Sequence, residues 1–312
     1  MKVVVDKYIP FIQDALAPSA SVVALEPEAI SPEAVHDADA LIIRTRTKVN
    51  AALLDGSSVQ FVATATIGYD HIDTDYCRRH NIAFTSCPGC NAQAVCDYIE
   101  ECLRHLNLPS TATIGIVGVG HVGSLVAKMV ERKGYQFILN DPPKNIGKSI
   151  DEIAQKCDFI TFHTPLTTDG PYPTYHLCNE HFLQRCKPNA VIVNAARGGV
   201  VDETALLASS HPFIIDTWES EPHINTDVVR KAELASFHIA GYSVQGKLNA
   251  SQMCLDAFSK HFRTPILSID KKVVSLHADY GDSAPGWLQR LSEQLKANPE
   301  QFEQLRKQYK LR

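Results

Sequence analysis

The sequence predicts an α/β protein built on two doubly wound parallel sheets. Three observations point there: short β-branched runs alternate with helical patterns over most of the chain, its 312 residues suit two domains better than one, and no repeat of solenoid period interrupts the alternation. Hydrophobic residues at 45% and charged residues at 21% are ordinary for a soluble globular enzyme and exclude disorder. A formal net charge of −5 gives no general attraction to nucleic acid or to an anionic membrane. An anionic substrate therefore needs a local cluster of cations.

Strands are expected first at KVVVD, SVVAL, ALIIRT, VQFVATA and IAFTSC. A second series follows at TIGIVG, YQFILND, FITFHTP, AVIVNAAR, PFIIDTW and ASFHI. Between the two series, Ala92, Val95, Cys96, Ile99, Cys102, Leu103 and Leu106 recur at helical spacing, with Asn91 as the expected N-cap and Asn107 and Pro109 as the stop. From about residue 263 the character changes. RTPILSIDKKVVSLHADYGDSAPGW predicts a short strand or two, and LQRLSEQLKANPEQFEQLRKQYKLR predicts a charged amphipathic helical tail, an appendage suited to oligomerisation more than to an active site. No apolar stretch approaches membrane-spanning length, and the N-terminus shows no leader pattern, so a cytoplasmic location is expected.

Nine cysteines, an odd and scattered number, form no disulfide framework. Two of them make CPGC, Cys87 to Cys90. A redox pair normally opens a helix with its first thiol, whereas here the helix begins after Asn91. A zinc site lacks its second pair of ligands, so no metal is expected. Pro88 and Gly89 read as a bend leading into the connecting helix.

The strongest local motif is TIGIVGVGHVGSLVAKMVERKG, with Gly118, Gly120 and Gly123 in G-x-G-x-x-G spacing between a strand and a helix. The first glycine permits the turn, the second admits a pyrophosphate, and the third lets helix and strand pack closely. Asp141 closes the next strand, where it can accept from ribose hydroxyls and repel a 2′-phosphate, so NAD is favoured over NADP. Asp141 capping the turn at Pro142–Pro143 is the plainer alternative.

Three polar clusters follow at strand ends: Arg197 in VIVNAARGGVVD, Asp216, Glu219 and Glu221 in FIIDTWESEP, and His238, Gly241 and Tyr242 in SFHIAGYS. Singly each has a dull explanation, as loop brace, solvated turn or structural histidine. Together they supply what oxidation of a 2-hydroxy acid requires. A histidine takes the hydroxyl proton, a paired carboxylate orients it, and a guanidinium grips the substrate carboxylate.

On these residues the chain resembles the D-isomer-specific 2-hydroxyacid dehydrogenases over roughly residues 1 to 262. The resemblance implies a flavodoxin-like substrate domain (1–91, completed by about 243–262), a Rossmann NAD domain (92–242) and a compressed C-terminal dimerisation element (263–312). It implies Arg197, Glu221 and His238 as catalytic residues. It also implies NAD contacts at Gly118, Gly120, His121, Val122, Gly123, Asp141, Thr164, Asp216 and Gly241. RTRTKVN, FVATATIGYDHID, PGCN, NDPP, FHTPLTTDGPYPTYHL and HIAGYS further resemble the branch acting on a phosphorylated sugar acid, 4-phospho-D-erythronate, in vitamin B6 synthesis. That branch implies Thr45, Thr66 and Tyr242 as substrate contacts.

Such a substrate carries a carboxylate and a phosphate, and Arg44, Arg46 and Lys48 form the cationic cluster nearest to hand for the phosphate. Alternation sets Arg44 and Arg46 on one side, and Arg44 is the first choice. A homodimer is expected. Two alternatives stay open: another 2-hydroxy acid, of phosphoglycerate or hydroxypyruvate type, and an NADH-binding regulatory protein.

Overall fold

The structure is a computed structural model that describes residues 1–265, 267–269, 281 and 283–312. Two compact units emerge: Met1–Asn91 with Ser243–Asp279, and Ala92–Tyr242 with Tyr280–Arg312.

In the first unit, β1 (Lys2–Asp6), β2 (Ser21–Leu25), β3 (Ala40–Ile43), β4 (Phe61–Thr64) and β5 (Ala83–Thr85) form a five-stranded sheet in the order β2-β1-β3-β4-β5. All neighbours are parallel. Both faces are buried, which is why the strands read as continuous apolar runs. Val3, Val5, Ala40, Ile42, Phe61 and Ala63 face one core with Leu255 and Phe258 of the long helix Val244–Phe262. Val4, Leu41, Ile43 and Val62 face a second core with Val35, Leu53 and Tyr76. A shift of one residue in any central strand would exchange these two sets.

The CPGC segment lies after β5. Gly89 takes φ 78°, the left-handed region that glycine enters without penalty, and Cys90 N–H donates to the Cys87 carbonyl at 3.2 Å. Both thiols are buried. Cys87 Sγ lies 3.3 Å from the carbonyls of Thr64 and Ala250 and 3.6 Å from Cys254 Sγ. Burial pushes the Cys90 thiol up to about 12, the opposite of what a nucleophilic thiol needs.

In the second unit, β6 (Thr113–Val117), β7 (Gln136–Asp141), β8 (Ile146–Gly147), β9 (Phe159–Phe162), β10 (Val191–Asn194), β11 (Phe213–Ile215) and β12 (Leu234–Ala235) form a sheet ordered β12-β11-β10-β9-β6-β7-β8. The pairs are parallel except β7 with β8, a two-residue edge strand with no sequence signal of its own. The order reverses between β6 and β9, the place where doubly wound sheets bind ligands. The strand expected over ASFHI stops at Ala235. Ser236 still donates to the Ile215 carbonyl at 2.9 Å, but His238 has φ 59° and leaves the ladder.

The connecting helix spans Ala92–Leu106 and buries Val95, Cys96, Tyr98, Ile99, Cys102 and Leu103, the stripe read from periodicity. Asn91 does not cap it through its side chain: Asn91 Oδ1 is buried without a hydrogen-bond partner among the described residues. The tail forms helices at Trp287–Ala297 and Phe302–Gln308. They are no free appendage, because Trp287, Leu288, Leu295, Phe302 and Leu305 lie in the core of the second unit. At about 1.5–3 kcal/mol per fully buried large side chain, this apolar stripe outweighs the charge of the tail's other face. Ser292 Oγ accepts from Ala235 N–H at 2.9 Å, completing the edge of β12. The strand or two expected between the long helix and this tail falls largely outside the described residues. Among the described residues no helix is long and apolar enough to cross a membrane.

Candidate active site

The glycine loop follows β6 and opens the helix His121–Arg132. Gly118 has φ 90°, and a Cβ there would meet the His163 carbonyl oxygen at 2.7 Å. A Cβ on Gly123 would lie 1.9 Å from the Gly118 oxygen, so these two glycines are demanded by the protein itself. Gly120 differs. Nothing lies within 4 Å of a Cβ there, so the protein leaves open space where a ligand backbone would approach. His121 and Val122 form the helix's first turn, where backbone N–H groups have no intrahelical partner.

Asp141 closes β7, and its Oδ2 accepts from Val119 N–H at 2.8 Å while Lys144 Nζ stands 3.6 Å away. It therefore shapes the loop as well as presenting a carboxylate to it. Thr164 Oγ1 is buried and has no partner among the described residues, and Thr164 Cγ2 stands 3.0 Å from a Cβ built on Gly118. An orphaned hydroxyl, an open glycine and a helix N-terminus fit the pyrophosphate and ribose of a dinucleotide. His163, beside Thr164, is driven down to about 3 by burial and stays neutral.

A second cluster gathers at the ends of β10, β11 and β12. His238 Nδ1 and Glu221 Oε2 are 2.7 Å apart, and Glu221 Oε1 accepts from Trp218 N–H at 3.0 Å. A carboxylate beside Nδ1 assigns that nitrogen the proton, leaving Nε2 with a lone pair. Burial alone would raise the Glu221 carboxyl. The His238 hydrogen bond and charge, the Trp218 N–H and the Arg306 guanidinium outweigh it and hold the group below the ordinary carboxylate range. The left-handed backbone of His238 is held by Asp216, which is 1% exposed. Asp216 Oδ1 accepts from Ile239 N–H at 2.8 Å and Ser236 Oγ–H at 2.6 Å, and Oδ2 accepts from Ala240 N–H at 2.9 Å. Asp216, named from sequence for the cofactor, thus anchors the histidine loop and the backbone leading to Gly241.

Arg197 follows β10 on a turn fixed by Asn194, whose Nδ2 donates to the Arg197 carbonyl at 2.9 Å. A Cβ on Gly198 would sit 1.8 Å from the Trp218 oxygen, so this turn packs directly on the strand end that leads to Glu221. The Arg197 side chain is exposed, donates to the Ala196 carbonyl at 2.7 Å, and forms no ion pair among the described residues.

Behind these residues sits a brace with no local sequence signal. His176 places Nε2 2.9 Å from Glu219 Oε1 and Nδ1 3.4 Å from Asp202 Oδ2. Glu203 Oε1 accepts from Glu219 N–H at 2.8 Å, and Glu219 Oε1 accepts from Glu203 N–H at 3.1 Å. Burial, aided by Glu219, Glu221 and Asp202, lifts Glu203 to about 7 despite that backbone hydrogen bond.

In the first unit, Arg44 is bound to buried Asp6, with Nε at 2.8 Å and Nη2 at 3.2 Å, and lies over the Tyr8 ring at 5.2 Å. Arg46 pairs instead with Glu28 at 3.6 Å. Alternation does not govern them, since β3 ends at Ile43. Thr66 Oγ1 lies 2.7 Å from Thr64 Oγ1 and donates to the Gly68 carbonyl at 2.9 Å, which shapes the TIGYD turn. Thr45 and Lys48 are exposed. The sequence reading missed Lys247, in the first turn of the helix Val244–Phe262, whose ammonium is held below the ordinary lysine range by burial and by Arg44. Its only signal was a lysine close behind HIAGYS.

A parallel sheet with a glycine loop at its switch point, a histidine–carboxylate pair, and an exposed arginine after β10 define an NAD-dependent dehydrogenase of hydroxy acids. Residues 97–240 match the D-isomer specific 2-hydroxyacid dehydrogenase NAD binding domain, and the chain belongs to that family, with NAD as its cofactor. It is 44% identical to the erythronate-4-phosphate dehydrogenase of Bacteroides fragilis over 337 aligned positions, covering 100% of this chain and 97% of that one. The enzyme of the same name from Escherichia coli K12 is 39% identical over 83% of this chain and 73% of its own length. In fold the chain is similar to an NAD+-bound 3-phosphoglycerate dehydrogenase of Entamoeba histolytica (TM-score 0.70, 24% identity, 87% of this chain and 99% of that one). It is also similar to a D-lactate dehydrogenase of Treponema pallidum (TM-score 0.68, 22% identity, 85% and 98%).

Proposed function

We propose that the chain oxidises 4-phospho-D-erythronate at its second carbon to 2-oxo-3-hydroxy-4-phosphobutanoate, a step of vitamin B6 synthesis. Identity of 39–44% to enzymes named erythronate-4-phosphate dehydrogenase, over most or all of the chain, carries this reading. NAD supplies the hydride acceptor. Gly118, Gly120, His121, Val122 and Gly123 would hold the dinucleotide at the helix N-terminus, with Asp141 to accept from its ribose and Thr164 and the Gly241 backbone to line the rest. Arg197 grips the substrate carboxylate in a fixed geometry. His238 Nε2 removes the hydroxyl proton as the hydride leaves, and Glu221 keeps the ring in the right tautomer and offsets the imidazolium charge that develops.

Thr45, Thr66 and Tyr242 are assigned to the substrate, and Arg44 with Lys247 to its phosphate. The first unit then supplies substrate contacts alone, and the second holds NAD and contributes Arg197, His238 and Tyr242 to the substrate. The chain acts as a cytoplasmic homodimer in this reading, with light scattering of the purified chain testing the dimer and cell fractionation the location. The deciding assay follows NADH formation on a panel of 4-phosphoerythronate, 3-phosphoglycerate, glycerate and D-lactate. Dominant kcat/KM for 4-phosphoerythronate is expected, and faster turnover of 3-phosphoglycerate refutes the assignment.

A further inference from the structure

The helix Phe302–Gln308 brings a cation to the histidine–carboxylate pair from the far end of the chain. Arg306 Nη1 lies 3.6 Å from Glu221 Oε2, the oxygen that faces His238 Nδ1 at 2.7 Å. Its Nε donates to Tyr242 Oη at 3.3 Å, and its guanidinium carbon stands 5.9 Å from the centre of the Tyr242 ring. An exposed arginine on a short helix would be expected to rest on the acid one turn away. Arg306 does reach Glu303, at 3.8 Å, yet its side chain is only 28% exposed and extends inward to the dyad. Phe302 and Leu305, both buried, fix the helix that carries it.

We propose that Arg306 is a positioning residue for the reaction: it pins the Glu221 carboxylate from the side opposite Trp218 and supplies a permanent positive charge to the Glu221–His238 pair. This deepens the function proposed above and rests on that pair being the acid–base centre. Glu221 is then held on both oxygens, by Trp218 N–H on one and by His238 and Arg306 on the other, so its plane cannot rotate away from the imidazole. Other charged groups stand around the pair: buried Asp216 accepts from the backbone of Ile239 and Ala240 after His238, and Arg312 donates to the carbonyls of the same two residues. Glu203, Glu219 and Asp202 lie behind Glu221, with His176 braced between the last two, and Glu303 lies beside Arg306 with the Tyr242 hydroxyl. Against these carboxylates Arg306 sets a fixed guanidinium beside the oxygen that Glu221 shares with His238.

The test is Arg306→Met, which keeps the buried alkyl stem, beside Arg306→Lys, which restores the charge. For Arg306→Met the acidic limb of the kcat/KM profile is expected to move up by about half to one pH unit, and plateau kcat to fall by about 3- to 10-fold. Arg306→Lys should return the limb to its wild-type position. Imidazole NMR titration of His238 should show the same displacement without turnover, which separates this proposal from the choice of substrate. A lower melting temperature with an unmoved limb would mean a merely structural role and overturn the proposal. So would a raised substrate KM alone, which would mean direct contact with substrate. A wild-type pH profile in Glu221→Gln would instead sink the acid–base reading on which the proposal stands.

Discussion

Glu203→Gln should stabilise the second unit at alkaline pH and leave it unchanged in mild acid. Glu203 is 7% exposed, and its carboxyl is raised from 4.5 to about 7, by burial first and then by the charges of Glu219, Glu221 and Asp202. Between those two values the folded chain binds a proton that the unfolded chain has released. Stability therefore falls as pH climbs from about 4.5 through 7, and the loss is complete above 7. The gap, at about 1.36 kcal/mol per pH unit, is worth about 3 kcal/mol. Glutamine keeps an oxygen to accept from Glu219 N–H, as the carboxylate does at 2.8 Å, and carries no charge to desolvate. A gain of about 1–3 kcal/mol at pH 8.5 is expected, with almost none at pH 5. The chain's two tryptophans, Trp218 and Trp287, both lie in the core of the second unit, so fluorescence during urea unfolding reads the relevant half of the molecule. Equal stabilisation at pH 5 and pH 8.5, or none at either, would refute the assignment of a buried and costly charge.

Two further outcomes follow from the site. His238→Ala should lower kcat by about 10²- to 10⁴-fold while NADH binding, read by fluorescence titration, persists; retained turnover removes His238 as the base. Gly120→Ala and Gly123→Ala should diverge, since a Cβ meets nothing within 4 Å at Gly120 and a carbonyl oxygen at 1.9 Å at Gly123. The first should melt like wild type and bind NADH weakly, whereas the second should lose several kcal/mol of stability; similar melting temperatures would contradict the geometry.

The sheets were legible because both faces of the central strands are buried, so runs such as Val3–Val5 and Ile192–Val193 carry the pattern unaided. The glycine loop and the Arg197, Glu221 and His238 motifs were legible because each is local, with its side chain delivered by the strand end that precedes it. What stayed hidden depends on residues distant in sequence. Asp216 meets Ile239 and Ala240 only because β11 and β12 are neighbours. Glu203 and Glu219 exchange hydrogen bonds across two loops, and β8 is too short to leave a pattern. Arg306 looked like a solvent-facing charge, since its helix shows the acid and base spacing of an exposed surface while Phe302 and Leu305 turn it inward. The alternation argument for Arg44 and Arg46 failed because it ran past the end of β3.

The distribution of thiols has a practical consequence. Of nine cysteines, eight are buried and Cys186 is half-buried, so the native fold withholds nearly all of them from alkylating reagents. Cys77, Cys87, Cys90 and Cys254 belong to the first unit, and Cys96, Cys102, Cys157, Cys178 and Cys186 to the second. Brief pulses of alkylation along a denaturant series, resolved by peptide mass, would time the opening of each half of the molecule without any introduced label. The sulfur atoms that contribute nothing to the chemistry are thus the chain's own markers of which half lets go first.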